Sequence, residues 1–197
     1  MVFKFILLGI FVKIVTGFDD TITHIPIITS ITKTRKGKIA FTAGMFLAII
    51  LAIIIAMFFS TLLKSVPFYK EIFAGLLFGL AIAIFFDILV HKPRAKAEHE
   101  IMKYKKKIPT ERIARLLFVG FIASFATVLD DIITYSPLFT HGFLYDIFAI
   151  IGILAAALLE LLLVLYFSEK LTKFKHKEKI ASVGLVILGI LILTGII

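Results

Sequence analysis

The stretch "TGFDDTITHIP" (Thr16–Pro26) returns later in the chain as "TVLDDIITYSP" (Thr127–Pro137), each time inside an otherwise apolar run. Six of the eleven positions are identical, among them both aspartates and the proline. A charged aspartate at the centre of a bilayer costs about 2.5–3.5 kcal/mol on insertion scales, so two such pairs need compensation. The repeat therefore predicts a duplicated architecture with functional carboxylates inside its apolar segments.

The composition predicts an all-α integral membrane protein. Of the 197 residues, 60% are hydrophobic and only 18% are charged, unlike the balance of a soluble domain. Runs long enough to cross a hydrocarbon core of roughly 30 Å predict six transmembrane helices. These runs lie at 4–28, 39–63, 67–90, 113–139, 143–168 and 179–197. The chain has no cysteine, which excludes disulfides and thiolate metal sites.

Each half of the chain holds three predicted spans. Because three is odd, the second half crosses the membrane in the opposite direction, which predicts two inverted three-helix repeats. Residues 1–90 form the first repeat with its motif helix at 4–28, and residues 113–197 form the second with its motif helix at 113–139. A basic linker, 91–112, joins them. Inverted repeats are a recurring plan of secondary transporters, whose sites lie near the membrane midplane.

Basic residues predict the orientation of the helices. Of the 22 Lys and Arg residues, all but Lys4, Lys13, Lys64 and Lys70 fall in or next to the three loops on one side, and such loops are usually cytoplasmic. We therefore expect a multi-pass protein of the cell membrane, with cytoplasmic basic loops and both termini outside. The net charge of +9 is then explained by this bias and by contact with anionic lipid, so no nucleic-acid partner is predicted.

The aspartates and threonines of each motif fall on one face of a helix with 3.6 residues per turn. Since the two motif helices run in opposite directions, these faces can meet at mid-depth. Oxygen-rich sites suit hard divalent cations such as Ca²⁺ or Mn²⁺. The predicted metal ligands are Asp19, Asp20, Asp130 and Asp131, with Thr16, Thr23, Thr127 and Thr134. The metal ion is expected as substrate, and no cofactor is predicted.

The prolines predict a kink or a break in each motif helix. Pro26 and Pro137 have no N–H to donate to the carbonyls of Ile22 and Ile133 four residues earlier, which frees those oxygens for an ion. Adjacent carboxylates also repel one another, so they can hold and release protons. Cation and proton competing for the same oxygens would support antiport.

Two further ionisable residues inside the spans are predicted to be accessory or coupling groups. Lys13 is expected either to be a counter-ion to Asp20 or to extend toward the outer interface. Glu160 is expected to add a carboxylate. Small residues at four-residue spacing predict close helix packing in the second and third spans. They are Ala40, Gly44, Ala48, Ala52 and Ala56, followed by Gly75, Gly79 and Ala83.

Together these features predict a secondary active transporter, either an exporter or a cation/proton exchanger, and not an enzyme. An amino-acid exporter is the nearest alternative, because a carboxylate can bind a substrate ammonium. A metal-dependent transferase acting on lipid phosphates is a second, although neither motif has the DDxxD spacing of such enzymes. In a third alternative the acidic faces are structural and only join the repeats. A homo-oligomer is compatible with each alternative.

With these duplicated acidic motifs and six predicted spans in inverted halves, the chain resembles the LysE superfamily of small transporters. It is most similar to the cation branch that includes the cadmium-resistance and TerC-like proteins. The resemblance implies export or exchange of a cation. It also implies that Asp19, Asp20, Asp130 and Asp131 are the family-type acidic positions.

Overall fold

The computed structural model is all-helical: the residues that it describes form seven α-helices and one 3-10 helix and contain no strand. These residues are 2–32, 34–86, 113–125, 127–171 and 177–195, and the side chains at 2, 18–23, 26–27, 29–31, 128, 167–171 and 177–181 lie outside the description. The predicted linker, 91–112, also lies outside it. The elements are α1 (Val2–Ile31), α2 (Arg35–Lys64), α3 (Tyr69–Phe85), α4 (Ile113–Phe125), α5 (Val128–Tyr135), the 3-10 helix (Ser136–Thr140), α6 (Phe143–Leu171) and α7 (Lys177–Leu193).

Two of these helices are long and apolar enough to cross a membrane, namely Arg35–Lys64 and the Phe143–Tyr166 part of α6. A third crossing is present if the bent pair Ile113–Phe125 and Leu129–Thr140 counts as one span. α3 and α7 have 17 residues each, so each is about 26 Å long and slightly shorter than a hydrocarbon core. The all-α prediction is confirmed, whereas six crossings stay a prediction.

The exterior of the helix bundle is unusually apolar, and a few charged side chains lie inside an otherwise apolar core. Large apolar side chains face outward, such as Phe58 and Leu159, which are 66% and 62% exposed. Charged side chains are buried, among them Lys13, Asp131 and Glu160. An apolar exterior with a few charged groups buried in the core suits a lipid environment, because lipid solvates the outer face and leaves polar groups to find partners inside.

Helices α1 and α6 cross with their backbones in contact through a pair of glycines. A side-chain carbon at Gly9 would overlap the carbonyl oxygen of Ala149, and one at Gly152 would overlap that of Ile6. Only a residue without a side chain allows this approach. Gly9 and Gly152 therefore set the close approach of these two helices.

A second pair of glycines brings α2 and α4 together in the same way. A side-chain carbon at Gly44 would overlap the carbonyl oxygen of Leu117, and one at Gly120 would overlap that of Phe41. All five predicted small residues of α2 are buried, which confirms their packing role.

The corresponding prediction for α3 is wrong at two of three positions. Gly75 and Gly79 are exposed, and a side-chain carbon at either would meet no atom within 4 Å. α3 instead packs with another face, which includes Phe73 and Leu77. It is joined to α7 by a hydrogen bond of 3.0 Å from Ser182 Oγ to the carbonyl of Ala81. Of the predicted stripe, only Ala83 is buried.

The predicted motif helix at 113–139 is not continuous. α4 ends at Phe125, α5 begins at Val128, and the chain bends by 64° across this break. The backbone N–H and the hydroxyl of Thr127 both donate to the carbonyl of Ser124, at 3.1 and 2.9 Å. This three-residue turn replaces the four-residue spacing of an α-helix, since a threonine hydroxyl competes for backbone carbonyls.

The two motif prolines behave differently from each other. α5 ends at Tyr135, immediately before a 3-10 helix that holds Pro137 in its first turn, so a change of helix type accompanies the predicted break in this copy. The first copy has no break, because the backbone of α1 continues through Pro26 to Ile31, and a kink there stays a prediction. One missing hydrogen bond is tolerated in a long helix when neighbouring groups compensate for it.

The bundle has two distinct ends. At one end, Arg35 Nη2 donates to the hydroxyl of Tyr166 at 3.2 Å, which joins the start of α2 to α6. At the other end, the ring of Phe5 contacts the rings of His141 and Tyr145, with centroids 5.1 and 4.8 Å apart. The second end also holds three lysines that lie outside the strongly basic loops. These lysines, Lys4, Lys64 and Lys70, all act electrostatically on His141.

Candidate functional site

A buried lysine lies between two buried carboxylates from other helices. Lys13 Nζ of α1 is 3.7 Å from Asp131 Oδ2 of α5 and 3.6 Å from Glu160 Oε2 of α6. The three residues are 3%, 3% and 7% exposed. Lys13 therefore does not extend to an interface, which removes one of the two roles predicted for it. Its observed counter-ions come from the second half of the chain.

A threonine of the first motif contacts an aspartate of the second. Thr16 Oγ1 donates to Asp131 Oδ1 at 2.7 Å, while the carbonyls of Val12 and Lys13 are more distant from it, at 3.2 and 3.4 Å. A hydroxyl has one proton to donate, and a charged acceptor makes the stronger bond. Asp131 thus faces Thr16 with one carboxylate oxygen and Lys13 with the other.

Gly17 provides the space for this cluster. A side-chain carbon at Gly17 would overlap Lys13 Nζ and would lie 2.5 Å from Glu160 Oε2. Sequence analysis did not include Gly17 among the site residues. The available signal was its position four residues after Lys13, on the same face of the helix. Its counterpart in the second motif is Val128, so this space is not duplicated.

Tyr135 also belongs to this site, although it was not among the predicted site residues. Its side chain is fully buried, and its hydroxyl lies close enough to Lys13, Asp131 and Glu160 to interact with each of them. Within the described part of the chain, this hydroxyl makes no hydrogen bond of acceptable distance and angle. The signal was its place on the polar face of the second motif, where the first motif has His24.

The break before α5 contributes to the electrostatics of the site. Asp130 and Asp131 lie in the first turn of α5, where the unpaired N–H groups of a helix start carry partial positive charge. The backbone N–H of Asp131 donates to Asp130 Oδ1 at 3.0 Å. Discontinuous helices of this kind surround the sites of secondary transporters. The helix start partly offsets the cost of burying these carboxylates.

The remaining predicted site residues of the second motif do not join this cluster. The hydroxyl of Thr127 donates to the carbonyl of Ser124, and that of Thr134 donates to the carbonyl of Asp130 at 2.5 Å. Both therefore bond within their own segment, because threonine hydroxyls in helices readily bond to the preceding turn. Ile133 is half-buried and Pro137 is buried.

The first motif is described in part. The side chains of Asp19, Asp20, Ile22, Thr23 and Pro26 lie outside the description, so a meeting of four aspartates stays a prediction. Among the side chains that are described, no three histidine or acidic residues are grouped as metal ligands. The described site is instead two carboxylates, one ammonium and two hydroxyls.

Comparison of the chain with protein-family models, curated proteins and solved structures finds no match.

The chemistry of the site follows from its own residues. When all three groups are ionised, Lys13 balances only one of the charges of Asp131 and Glu160. A position held by an ammonium between two carboxylates suits a cation.

Proposed function

We propose that the protein is a secondary active transporter that moves a cation through the centre of its helix bundle, as an exporter or a cation/proton exchanger. The observation that carries this proposal is the buried cluster of Lys13, Asp131 and Glu160, to which three helices from both halves of the chain contribute. A buried ion pair that serves only stability is commonly replaceable by apolar residues. Ionisable groups inside a membrane protein instead mark ion pathways.

A divalent metal ion such as Ca²⁺ or Mn²⁺ is the proposed substrate. Asp131 and Glu160 supply carboxylate oxygens, and Thr16 and Tyr135 supply hydroxyls close to them. Hard cations prefer such oxygens. Asp19, Asp20 and Asp130 are proposed as additional ligands on the path. Protons are the proposed coupling ion, because carboxylates that share a site can exchange a metal ion for protons.

The proposed architecture has six crossings in two inverted repeats, as in the LysE superfamily. Gly9 and Gly120 occupy equivalent positions when Thr16 is aligned with Thr127. Each touches the backbone of the helix that follows the motif of the other half. This exchange of equivalent contacts is what a two-fold axis in the membrane plane would produce, and it supports the repeat.

In the proposed orientation, the basic loops are cytoplasmic and both termini lie outside the cell membrane. Lys4, Lys64 and Lys70 cluster at one end with His141, and Arg35 lies at the other with Tyr166. This segregation supports the predicted alternation of the loops. Labelling of single cysteines on either side would test it, since the chain has no native cysteine.

An amino-acid exporter is the second candidate, and one observation favours it. The occupant of the carboxylate pair is itself a primary ammonium, that of Lys13. A substrate amine has the same charge and the same hydrogen-bonding groups. The two candidates differ in what competes for the carboxylates, which is a divalent metal ion for the first and a substrate ammonium for the second.

Flux in liposomes tests the proposal. Purified protein is reconstituted with a pH gradient, and uptake of radiolabelled Ca²⁺, Mn²⁺ and lysine is measured separately. We expect saturable uptake of one divalent ion that responds to the pH gradient and falls to background in Asp131→Asn. Glu71→Gln is the matched control, because it removes an exposed carboxylate of α3. Uptake of lysine alone would favour the exporter, and full activity of Asp131→Asn would refute both candidates.

A further inference from the structure

We infer that Lys13 is a tethered occupant of the cation site: its ammonium holds the position between Asp131 and Glu160 when the site is empty, and the transported cation displaces it. The inference rests on the proposed function and adds a residue that sets affinity. It explains why a transporter for cations would keep a positive charge inside its own site.

The distances support an exchangeable occupant. Lys13 Nζ lies 3.7 and 3.6 Å from the two carboxylate oxygens, which is too far for strong hydrogen bonds. The ammonium is therefore held mainly by charge and not by directed bonds. A divalent cation draws oxygens to about 2.0–2.6 Å, so it would bind the same carboxylates more closely.

The hydroxyl of Tyr135 is the second, independent observation. It is fully buried beside Lys13 and Asp131, yet within the described residues it makes no hydrogen bond of acceptable distance and angle. An unmade hydrogen bond in a buried site is unfavourable, and such groups in native proteins call for an explanation. A cation between Asp131 and Glu160 would give this oxygen a partner. We assign Tyr135 as a ligand of the occupied site.

Gly17 accommodates the Lys13 ammonium on the surface of α1. Because Gly17 has no side chain, the ammonium lies in the space that a side-chain carbon would fill. The lysine side chain is flexible through four methylene groups. The ammonium can therefore change position by rotation of its own side-chain bonds.

The test exchanges the ammonium at position 13. The chain has no cysteine, so Lys13→Cys carries a single thiol. Aminoethyl methanethiosulfonate then attaches an ammonium through a mixed disulfide, with release of methanesulfinate. Binding of Ca²⁺ and of Mn²⁺ is measured by calorimetry in detergent for wild type, for Lys13→Cys and for the modified protein. The neutral reagent methyl methanethiosulfonate provides the matched control.

We expect Lys13→Cys to bind the cation about tenfold more tightly than wild type or better, since no internal ammonium competes with it. Attachment of the aminoethyl group should reverse most of this gain, whereas the methyl group should not. Tyr135→Phe in the Lys13→Cys background should weaken binding severalfold. If Lys13→Cys does not fold, Lys13→Gln is used, with the same expected gain.

Equal affinities of wild type and Lys13→Cys would overturn the inference, as would equal effects of the two reagents. Absence of binding in all of these proteins would also overturn it. The proposed function is judged separately by wild-type flux in liposomes, so a transporter in which Lys13 does not compete remains distinguishable from a protein that does not transport cations.

Discussion

Thr16 Oγ1 and Asp131 Oδ1 are joined by a hydrogen bond of 2.7 Å, although the two residues are 115 positions apart in the chain. Thr16 is the first residue of one motif copy, and Asp131 is the fifth residue of the other. The two copies of the repeated motif therefore contact each other in the folded protein. This bond orients the carboxylate that faces Lys13, so the two halves of the chain are coupled at the site itself.

Loss of the Thr16 hydroxyl should destabilise the protein. Thr16→Val keeps the shape but leaves Asp131 Oδ1 without its donor, and removal of one partner of a buried hydrogen bond costs about 1–3 kcal/mol. Thr16→Ser keeps the donor and should lie within about 1 kcal/mol of wild type. Unfolding in detergent as a function of denaturant measures both. A Thr16→Val variant as stable as Thr16→Ser would contradict the importance of this bond.

Without a bound cation, loss of the Lys13 ammonium alone should destabilise the protein more than loss of both the Lys13 ammonium and the Glu160 carboxylate. Lys13→Met leaves two buried carboxylates without their shared cation, and breaking a buried ion pair from one side costs about 3–5 kcal/mol. The double variant Lys13→Met/Glu160→Gln has the same net charge as wild type and should recover part of this loss. Thermal unfolding without divalent ions measures the effect. Additive losses would indicate that the two groups act independently.

Much of the fold was predictable from the positions of apolar runs, but the break before α5 was not. Helices α1, α2 and α6 each lie within a few residues of a predicted span, because apolar length is a strong signal. The break contains neither glycine nor proline in the sequence from Phe125 to Val128. It arises from the bonds of Thr127 to the carbonyl of Ser124, a local competition that the pattern of polarity does not reveal.

The partners of Lys13 were predictable only in kind. The sequence left two roles open for Lys13, a counter-ion to Asp20 or a residue that extends toward the outer interface, so a carboxylate partner was one of two alternatives. Its contacts with Asp131 and Glu160 depend on how α1, α5 and α6 pack, which a single sequence does not define. The overlap at Gly17 depends on the same packing, so the role of Gly17 became visible only with the lysine ammonium in place.

A methyl group at Gly17 should disturb the site, whereas one on the outer face of α3 should not. Gly17→Ala would displace Lys13 Nζ or Glu160 Oε2, and overpacking of a buried region typically costs about 1–3 kcal/mol. Gly79→Ala is the matched control, because a side-chain carbon there meets no atom within 4 Å. Its higher helix propensity should leave stability unchanged or raised by up to about 1 kcal/mol. Thermal unfolding and cation binding of both variants provide the comparison.

Substitution of alanine for glycine at the two helix crossings should destabilise the protein equally if the two halves are equivalent. Gly9→Ala and Gly120→Ala each place a methyl group against the backbone of a neighbouring helix, which must shift because backbone atoms have no alternative rotamer. We expect losses of about 1–3 kcal/mol for both, against no loss for Gly75→Ala. Melting temperatures of the three variants in one detergent measure this. A large loss at one crossing alone would argue against a symmetric repeat.

The stability of the end of the bundle that holds His141 should depend on pH. Partial burial lowers the pKa of His141, and the positive charges of Lys70, Lys4 and Lys64 lower it further. The unfolded chain, with a histidine pKa of about 6.5, then binds a proton more readily than the folded protein. Stability therefore decreases as the pH falls through about 6.5 toward the lower folded-state pKa.

His141→Gln, which does not titrate, should remove this decrease between pH 7 and about 5.5, a range above the usual pKa values of carboxylates. Added salt should reduce it in wild type by screening the three lysines. The melting temperatures of both proteins across this range, at low and high salt, measure the effect. A wild-type melting temperature that rises on acidification, or an identical slope in His141→Gln, would show that the lysines do not act on His141 as their positions indicate.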